Sequence, residues 1–296
     1  MTRIAHISDL HVLDLHGIQP MRYLNKRATG LASLWTSRRD AHSIRILESL
    51  MEELDRKEVD HILVTGDISN LSLESEFARA REILGPLATF DRMSIVPGNH
   101  DVYTRGAHRA HRFESYFGDL MWTGPPPPPA FRYPWYKRVD GVHVVGMSSA
   151  VPTLPLMATG RVGDEQLGRM EALSAEHDFH SGFTIGMVHH NLHDRSLRKN
   201  LMHGMQDRHD VVQRCAAAGV NLLLHGHTHV AHRFQHQQMR IVGCGSSTWT
   251  GPHPDRLARY NIYHVEDDAL SRVEMHRYDL ETQSFEGIAD GDMPAH

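Results

Sequence analysis

Asp9 and His11 stand two residues apart just after the apolar run 3–7, and His227 and His229 repeat that spacing after the run 220–224. Residues two apart in an extended segment point the same way, so each pair can approach one ion together. Three single candidates follow other apolar runs: Asp67 in Gly66-Asp67, Asn99 in Gly98-Asn99-His100-Asp101, and His189 after the run 183–188. The set is two carboxylates, one amide and four imidazoles. Oxygen and imidazole donors without thiolate suit first-row divalent metals, Mn or Fe first, with Zn or Ni as alternatives, and fit a closed structural zinc site poorly. Two such ions against two carboxylates leave a net charge of about +2, which favours an anionic substrate, above all a phosphate ester, and a bridging water deprotonated near neutral pH.

Position carries this reading, because histidine is abundant at 25 of 296 residues. Asp14-Leu15-His16 repeats the Asp-Leu-His tripeptide without an apolar run before it and is expected on a surface loop. His190, His193 and His203 lie near the ligand loops and are expected at the surface. Ser148 and Ser149 end the run 142–146, where they are candidates to line a pocket without a catalytic role.

The strands and helices that carry the donors are legible as alternation. Six short apolar runs (3–7, 61–65, 93–96, 142–146, 183–188 and 220–224) end in Gly, Asp, Asn, Ser or His, as strands that deliver polar loops do. Between them Ile44, Leu47, Leu50, Met51 and Leu54 follow helical spacing, as do Phe77, Ala80 and Leu84, then Leu167, Met170 and Leu173. Strands alternating with helices predict βαβ units and largely parallel pairing. Residues 260–265 and 271–278 around Glu266-Asp267-Asp268 read as a hairpin closing a sheet edge, making the core mixed. Pro125 to Pro129 with Phe131, Tyr133, Trp135 and Tyr136 read as an exposed connecting loop. Donors spread from residue 9 to residue 229 argue for one domain, taken as 1–285, with an acidic tail at 286–296.

Composition narrows the classes. A hydrophobic share of 40% and a charged share of 23% are those of a globular chain, and a net charge of -5 leaves no basic footprint, so no nucleic-acid partner is expected. Cys215 and Cys244 lack the spacing of a disulfide framework or a zinc knuckle. With no apolar leader-like segment before Asp9 and no membrane-length window, the expected location is the cytoplasm. Cys244 is expected to be packed rather than reactive.

The ordered set Asp9-Leu10-His11, Gly66-Asp67, Gly98-Asn99-His100-Asp101, His189 and Gly226-His227-Thr228-His229 resembles the calcineurin-like metallophosphoesterase superfamily over residues 1–230. The resemblance implies an α/β fold, a four-layer α/β/β/α sandwich with mixed sheets, and two divalent ions at the strand ends. It assigns Asp9, His11 and His229 to one ion, Asn99, His189 and His227 to the other, and Asp67 as the bridge. It also implies in-line attack by a metal-bound hydroxide, with His100 outside the metal shell as the group that protonates or hydrogen-bonds the leaving oxygen.

Where protein Ser/Thr phosphatases of that superfamily carry Gly-Asp-x-Val-Asp-Arg-Gly, this chain has Gly66-Asp67-Ile68-Ser69-Asn70. No carboxylate stands at residue 70 to pair with His100, so Asp101 or the substrate is expected to orient the ring, and phosphoprotein substrates are disfavoured. The motif set is closer to the bacterial phosphodiesterase branch, which includes enzymes acting on cyclic nucleotides, and is similar to UDP-2,3-diacylglucosamine pyrophosphatases. The expected activity is hydrolysis of a phosphodiester or pyrophosphate in a small nucleotide-like or lipid-linked substrate. The alternatives are a phosphomonoesterase and a non-catalytic scaffold of the same fold. Residues 18–39 combine one apolar helical face (Ile18, Met21, Leu24, Ala28, Leu31, Leu34, Trp35) with Arg22, Lys26, Arg27, Arg38 and Arg39. Such a basic amphipathic insert is expected as a scaffold helix with solvated cations, or as a cap that touches lipid.

Overall fold

The structure, a computed structural model, describes residues 1–16, 27, 41–251 and 253–288. The amphipathic insert at 18–39 therefore lies outside the described residues apart from Arg27, whose side chain is buried.

Two six-stranded sheets form the middle of the molecule. The first contains β1 (Thr2–Ile7), β2 (His61–Val64), β3 (Met93–Ile95), β10 (Arg259–Glu266), β11 (Ala269–Asp279) and β12 (Ser284–Ile288), in the order β12-β11-β10-β1-β2-β3. The second contains β4 (Trp135–Val139), β5 (Val142–Gly146), β6 (Thr184–Met187), β7 (Leu222–His225), β8 (His232–His236) and β9 (Met239–Gly243), in the order β4-β5-β6-β7-β9-β8. β1, β2 and β3 pair in parallel, as do β5, β6, β7 and β9; β10 on β1, β4 on β5 and β8 on β9 are antiparallel. Both sheets are thus mixed.

The pleat assigns the layers. In β7, Leu222 and Leu224 join the core shared with the first sheet, while Leu223 packs with α5 (Asp164–His177) and α7 (Arg208–Ala217). Val144 and Val145 of β5 divide in the same way. Helix α1 (Ile44–Arg56) lays Ile46, Leu47, Leu50, Met51 and Leu54 on the outer face of the first sheet beside α2 (Glu74–Leu84), which buries Phe77, Ala80 and Leu84. The result is the expected four-layer α/β/β/α sandwich. Shorter helices α3 (Arg105–Arg109), α4 (Arg112–Phe117) and α6 (Leu197–His203) cover the ends. No helix among the described residues is long and apolar enough to cross a membrane.

Three expectations need correction. The aromatic segment after the prolines is not an exposed loop throughout: Pro125, Pro126 and Pro129 are exposed, but Tyr133 and Trp135 are buried, and Trp135 opens β4 with its indole N–H donating to the Ile95 carbonyl. A run with a Tyr-Pro step hides its period-two pattern, since Tyr136 and Arg138 face outward while Trp135, Lys137 and Val139 face in. The β10–β11 hairpin does not close the sheet edge, because β12 pairs antiparallel with β11 outside it. That strand runs to Ile288, so the tail cannot begin at residue 286. Its sequence, Ser-Phe-Glu-Gly-Ile, buries only Phe285 and offers little apolar signal.

Candidate metal centre

β1 ends at Ile7 and β7 at His225, so the paired donors lie beyond the strands they follow. Asp9, His11, Asp67, His227 and His229 all have positive φ, between 48° and 72°. The expected alternation of an extended segment is therefore not what aligns each pair. Left-handed backbone costs a non-glycine residue roughly 1–2 kcal/mol, and it persists where surrounding contacts over-determine it. Here Asp9 N–H donates to the Gly66 carbonyl, His11 N–H to Asp67 and Val12 N–H to Ile68, lacing the first loop onto the second. His227 N–H donates to both oxygens of the Asp9 carboxylate at 3.2 and 3.0 Å, bringing the last loop onto the first. Two glycines permit this closeness: a Cβ on Gly98 would stand 2.1 Å from Asp67 Oδ1, and one on Gly226 1.9 Å from Ser8 Oγ.

All seven expected donors come together. His11 Nε2 lies 3.0 Å from His229 Nε2, and Asp9 Oδ1 is 3.3 Å from the latter and 3.9 Å from the former. Asp67 Oδ2 is 3.8 Å from His11 Nε2 and 3.3 Å from His189 Nε2, reaching both groups from between them. Asn99 Oδ1 stands 3.2 Å from His189 Nε2 and 2.9 Å from His227 Nδ1. Donors about 2.1 Å from one shared ion are roughly 3.0–3.4 Å apart, so these spacings fit two coordination spheres joined at Asp67.

Backbone carbonyls assign the tautomers. His189 Nδ1 donates to Thr65 O at 2.7 Å, leaving Nε2 as the donor atom toward Asp67, while His227 Nε2 donates to His203 O at 2.7 Å, leaving Nδ1 toward Asn99. Burial holds the His11 and His227 rings well below the usual imidazole range, so each presents a neutral lone pair. Burial would also lower His189, but its hydrogen bond and charge attraction to Asp67, together with Asp9 and the Thr65 carbonyl, outweigh it and raise His189 to about 9. The pocket favours positive charge beside its carboxylates, as a cation site must.

His100 Nδ1 donates to the Asn70 backbone carbonyl at 2.6 Å, which fixes the orientation of the ring. Asp101 does not orient that ring, contrary to expectation. Its buried carboxylate accepts from Gly98, Ile68 and Ser69 N–H groups and braces the two central loops. Burial and the nearby Asp67 charge push Asp101 up to about 7. The His100 ring stacks on Tyr103 with centroids 5.3 Å apart, and the His100 backbone N–H donates to Asp67 Oδ1 at 2.8 Å.

The other histidines divide. His16 is exposed and paired with Asp14, as expected of a surface loop. His203 is exposed, and His193 is half-buried. His190 contradicts its surface assignment: it is fully buried, with Nδ1 at 2.7 Å from the Ser149 hydroxyl. Sequence reading missed His42, whose ring centroid is 4.4 Å from that of His11, and the loop after β9, where Ser246 and Thr248 hydroxyls donate to the Asp9 and Leu10 carbonyls. The strand-end rule would have found that loop, since small polar residues follow the run 239–243. His42 has no such signal. Cys215 and Cys244 are buried free thiols, pushed up to about 12 by burial, and Cys244 is packed as expected.

The profile described as the calcineurin-like phosphoesterase superfamily domain matches residues 2–268. No curated protein is significantly similar in sequence. Among solved structures, a dimetal phosphatase from Danio rerio matches with a TM-score of 0.57 at 15% identity over 93% of this chain and 95% of its own. Purple acid phosphatase PPD1 from yellow lupin matches with a TM-score of 0.64 at 12% identity, covering 97% of this chain and 52% of that one. GAP50, the anchor in the inner membrane complex of Plasmodium, matches with a TM-score of 0.53 at 9% identity over 97% and 88%. At such identities these likenesses speak for the fold alone, whereas the profile spans most of the chain: it belongs to the calcineurin-like phosphoesterase superfamily.

Proposed function

We propose that this chain is a dimetal-dependent phosphoesterase that cleaves phosphodiesters or pyrophosphates in a small nucleotide-like or lipid-linked substrate. The observation that carries the hydrolytic reading is the convergence of Asp9, His11, Asp67, Asn99, His189, His227 and His229 at ligand–ligand spacing. Asp9, His11 and His229 would hold one ion, Asn99, His189 and His227 the other, with Asp67 reaching both. When bound, the two ions supply a water acidified toward neutrality and positive charge for the phosphoryl oxygens. His100, its ring held by the Asn70 carbonyl, gives the leaving oxygen a proton or a hydrogen bond.

The diester or pyrophosphate reading rests on the space beside His100. A cavity of about 480 Å³ is lined by Tyr103, which stacks on His100, and by Arg27, Arg105 and Arg112. Guanidinium groups and an aromatic face suit the second, non-reacting half of such a substrate. Arg27 is not a solvated cation: its guanidinium donates to the Leu71 and Ser72 carbonyls in the loop after β2. Buried thiols in Cys215 and Cys244 suit a reducing compartment such as the cytoplasm.

With Mn²⁺ added, bis-p-nitrophenyl phosphate should turn over faster than p-nitrophenyl phosphate, and Arg105→Ala should raise KM for the diester more than it lowers kcat. Faster monoester turnover would replace the reading by a phosphomonoesterase. Screening cyclic nucleotides, glycerophosphodiesters and UDP-diacylglucosamine with and without detergent then separates the nucleotide-like from the lipid-linked class.

A further inference from the structure

Three imidazoles outside that centre meet: His193 from the loop after β6, His225 at the end of β7 and His232 at the start of β8. One nitrogen from each lies within 4.8 Å of the others. The rings of His193 and His232 stack at 3.7 Å between centroids, and His193 and His225 are 6.0 Å apart. Nitrogens about 2.1 Å from a shared ion are roughly 3.4 Å apart, so closing on an ion would move each by less than about 1 Å.

The chemistry of the three rings suits an ion. His225 is fully buried, and its Nδ1 donates to the Gly226 carbonyl at 3.1 Å, which puts the lone pair on Nε2; that atom has no partner among the described residues. His193 Nδ1 is likewise buried without a partner among the described residues. A hydrogen-bonded core histidine satisfies such nitrogens, whereas a metal-ligating one keeps one ring nitrogen for the ion and binds a carbonyl with the other. Burial, with His225 and His232 beside it, pushes His193 down to about 3 and keeps that ring neutral. Room is made for the cluster: Gly243 faces His232 across the β8–β9 pair, and a Cβ there would stand 2.5 Å from His225 Cε1. His193 and His232 also line a cavity of about 590 Å³, with Asp194, His209 and His236 on its walls.

We propose that His193, His225 and His232 bind a third transition-metal ion of the Zn²⁺ class, separate from the dimetal centre, with a remaining coordination position toward this cavity. Three imidazoles without carboxylate or thiolate suit Zn²⁺, Cu²⁺ or Ni²⁺ more than Mn²⁺ or Mg²⁺, so the third site should differ from the dimetal centre in metal preference. The ion would clamp β8 and the loop after β6 to the end of β7, one residue before the metal-centre loop begins.

The test uses the full chain in an Asp67→Ala background, which disables the dimetal centre without touching the triad. Dialysed against a small excess of Zn²⁺ or Co²⁺, Asp67→Ala should retain one ion per chain, and Co²⁺ should give the intense visible bands of a low-coordinate site. Adding His232→Gln should abolish both the ion and the bands, with folding confirmed by circular dichroism. Should that double variant not fold, His193→Gln in the same background takes its place with the same expected loss. A folded Asp67→Ala protein that holds no ion, or an ion that survives both His232→Gln and His193→Gln, overturns the proposal. So does an ion lost on His209→Gln or His236→Gln but kept on His232→Gln, since binding would then lie at the cavity wall.

Discussion

The two sheets contribute different chemistry to the metal centre. Loops of the first sheet bring every oxygen donor, Asp9, Asp67 and Asn99, together with His11 and His100. Loops of the second bring imidazoles alone: His189, His227 and His229. The first half therefore holds the anionic charge that selects for cations, and the second adds imidazole nitrogens alone. Neither half has a full donor set. The contacts between them, such as His227 N–H on the Asp9 carboxylate and His189 on the Thr65 carbonyl, make the site a product of sheet-on-sheet packing.

The largest effect should follow removal of the carboxylate shared by both spheres. Asp67→Ala is expected to empty both ion positions of the centre and lower kcat/KM on the order of 10³-fold or more, beyond the 10–100-fold typical of residues behind a metal shell. Metal analysis and diesterase assays check this; retained turnover would sink the two-ion reading. Next, His100→Gln should leave metal content intact and cost roughly 10²–10⁴-fold in kcat for a poor leaving group, with a smaller loss for p-nitrophenolate, which leaves without a proton. An equal loss for both leaving groups would remove the acid role from His100.

Smaller still, Ser8→Ala removes the hydroxyl that donates to Asp9 Oδ2 at 2.7 Å. Metal affinity should fall about tenfold with the fold intact, and a matching loss on the imidazole side alone would contradict the division between the sheets. The smallest effect on chemistry belongs to Glu76. Burial pushes its carboxyl up to about 8, while it accepts the Leu71 and Leu73 N–H groups. An acid whose pKa is raised by folding keeps its proton in the native state while the unfolded chain ionises, so stability is greatest below the usual glutamate range and falls as pH rises toward 8. Glu76→Gln should flatten that decline between about pH 5 and 8 in denaturant titrations, with activity at neutral pH unchanged; an equally steep decline in the variant would show that another group is responsible.

What could be read in advance depended on local signal. Asp67, Asn99 and His189 were legible because each follows a short apolar run, and a buried parallel strand leaves that mark on the chain. β4 and β12 were not, since a Tyr-Pro step interrupts the approach to one and the other buries a single side chain. His42 reaches the centre only because the start of α1 packs against the loop after β9, where its Nδ1 meets Thr248 Oγ1 at 2.8 Å, a contact between residues 206 apart in sequence.

Donor types, their order and the alternation of strands and helices follow from the amino-acid chain alone, because they are written in side-chain chemistry and periodicity. How the donors converge is a property of the folded chain. Asp9 and His11 are brought together by left-handed turns laced to the loop of Asp67, not by strand alternation, and His100 is oriented by a backbone carbonyl no residue identity encodes. Backbone hydrogen bonds between distant loops and the packing of two sheets are collective, so they exist only once the chain has closed on itself.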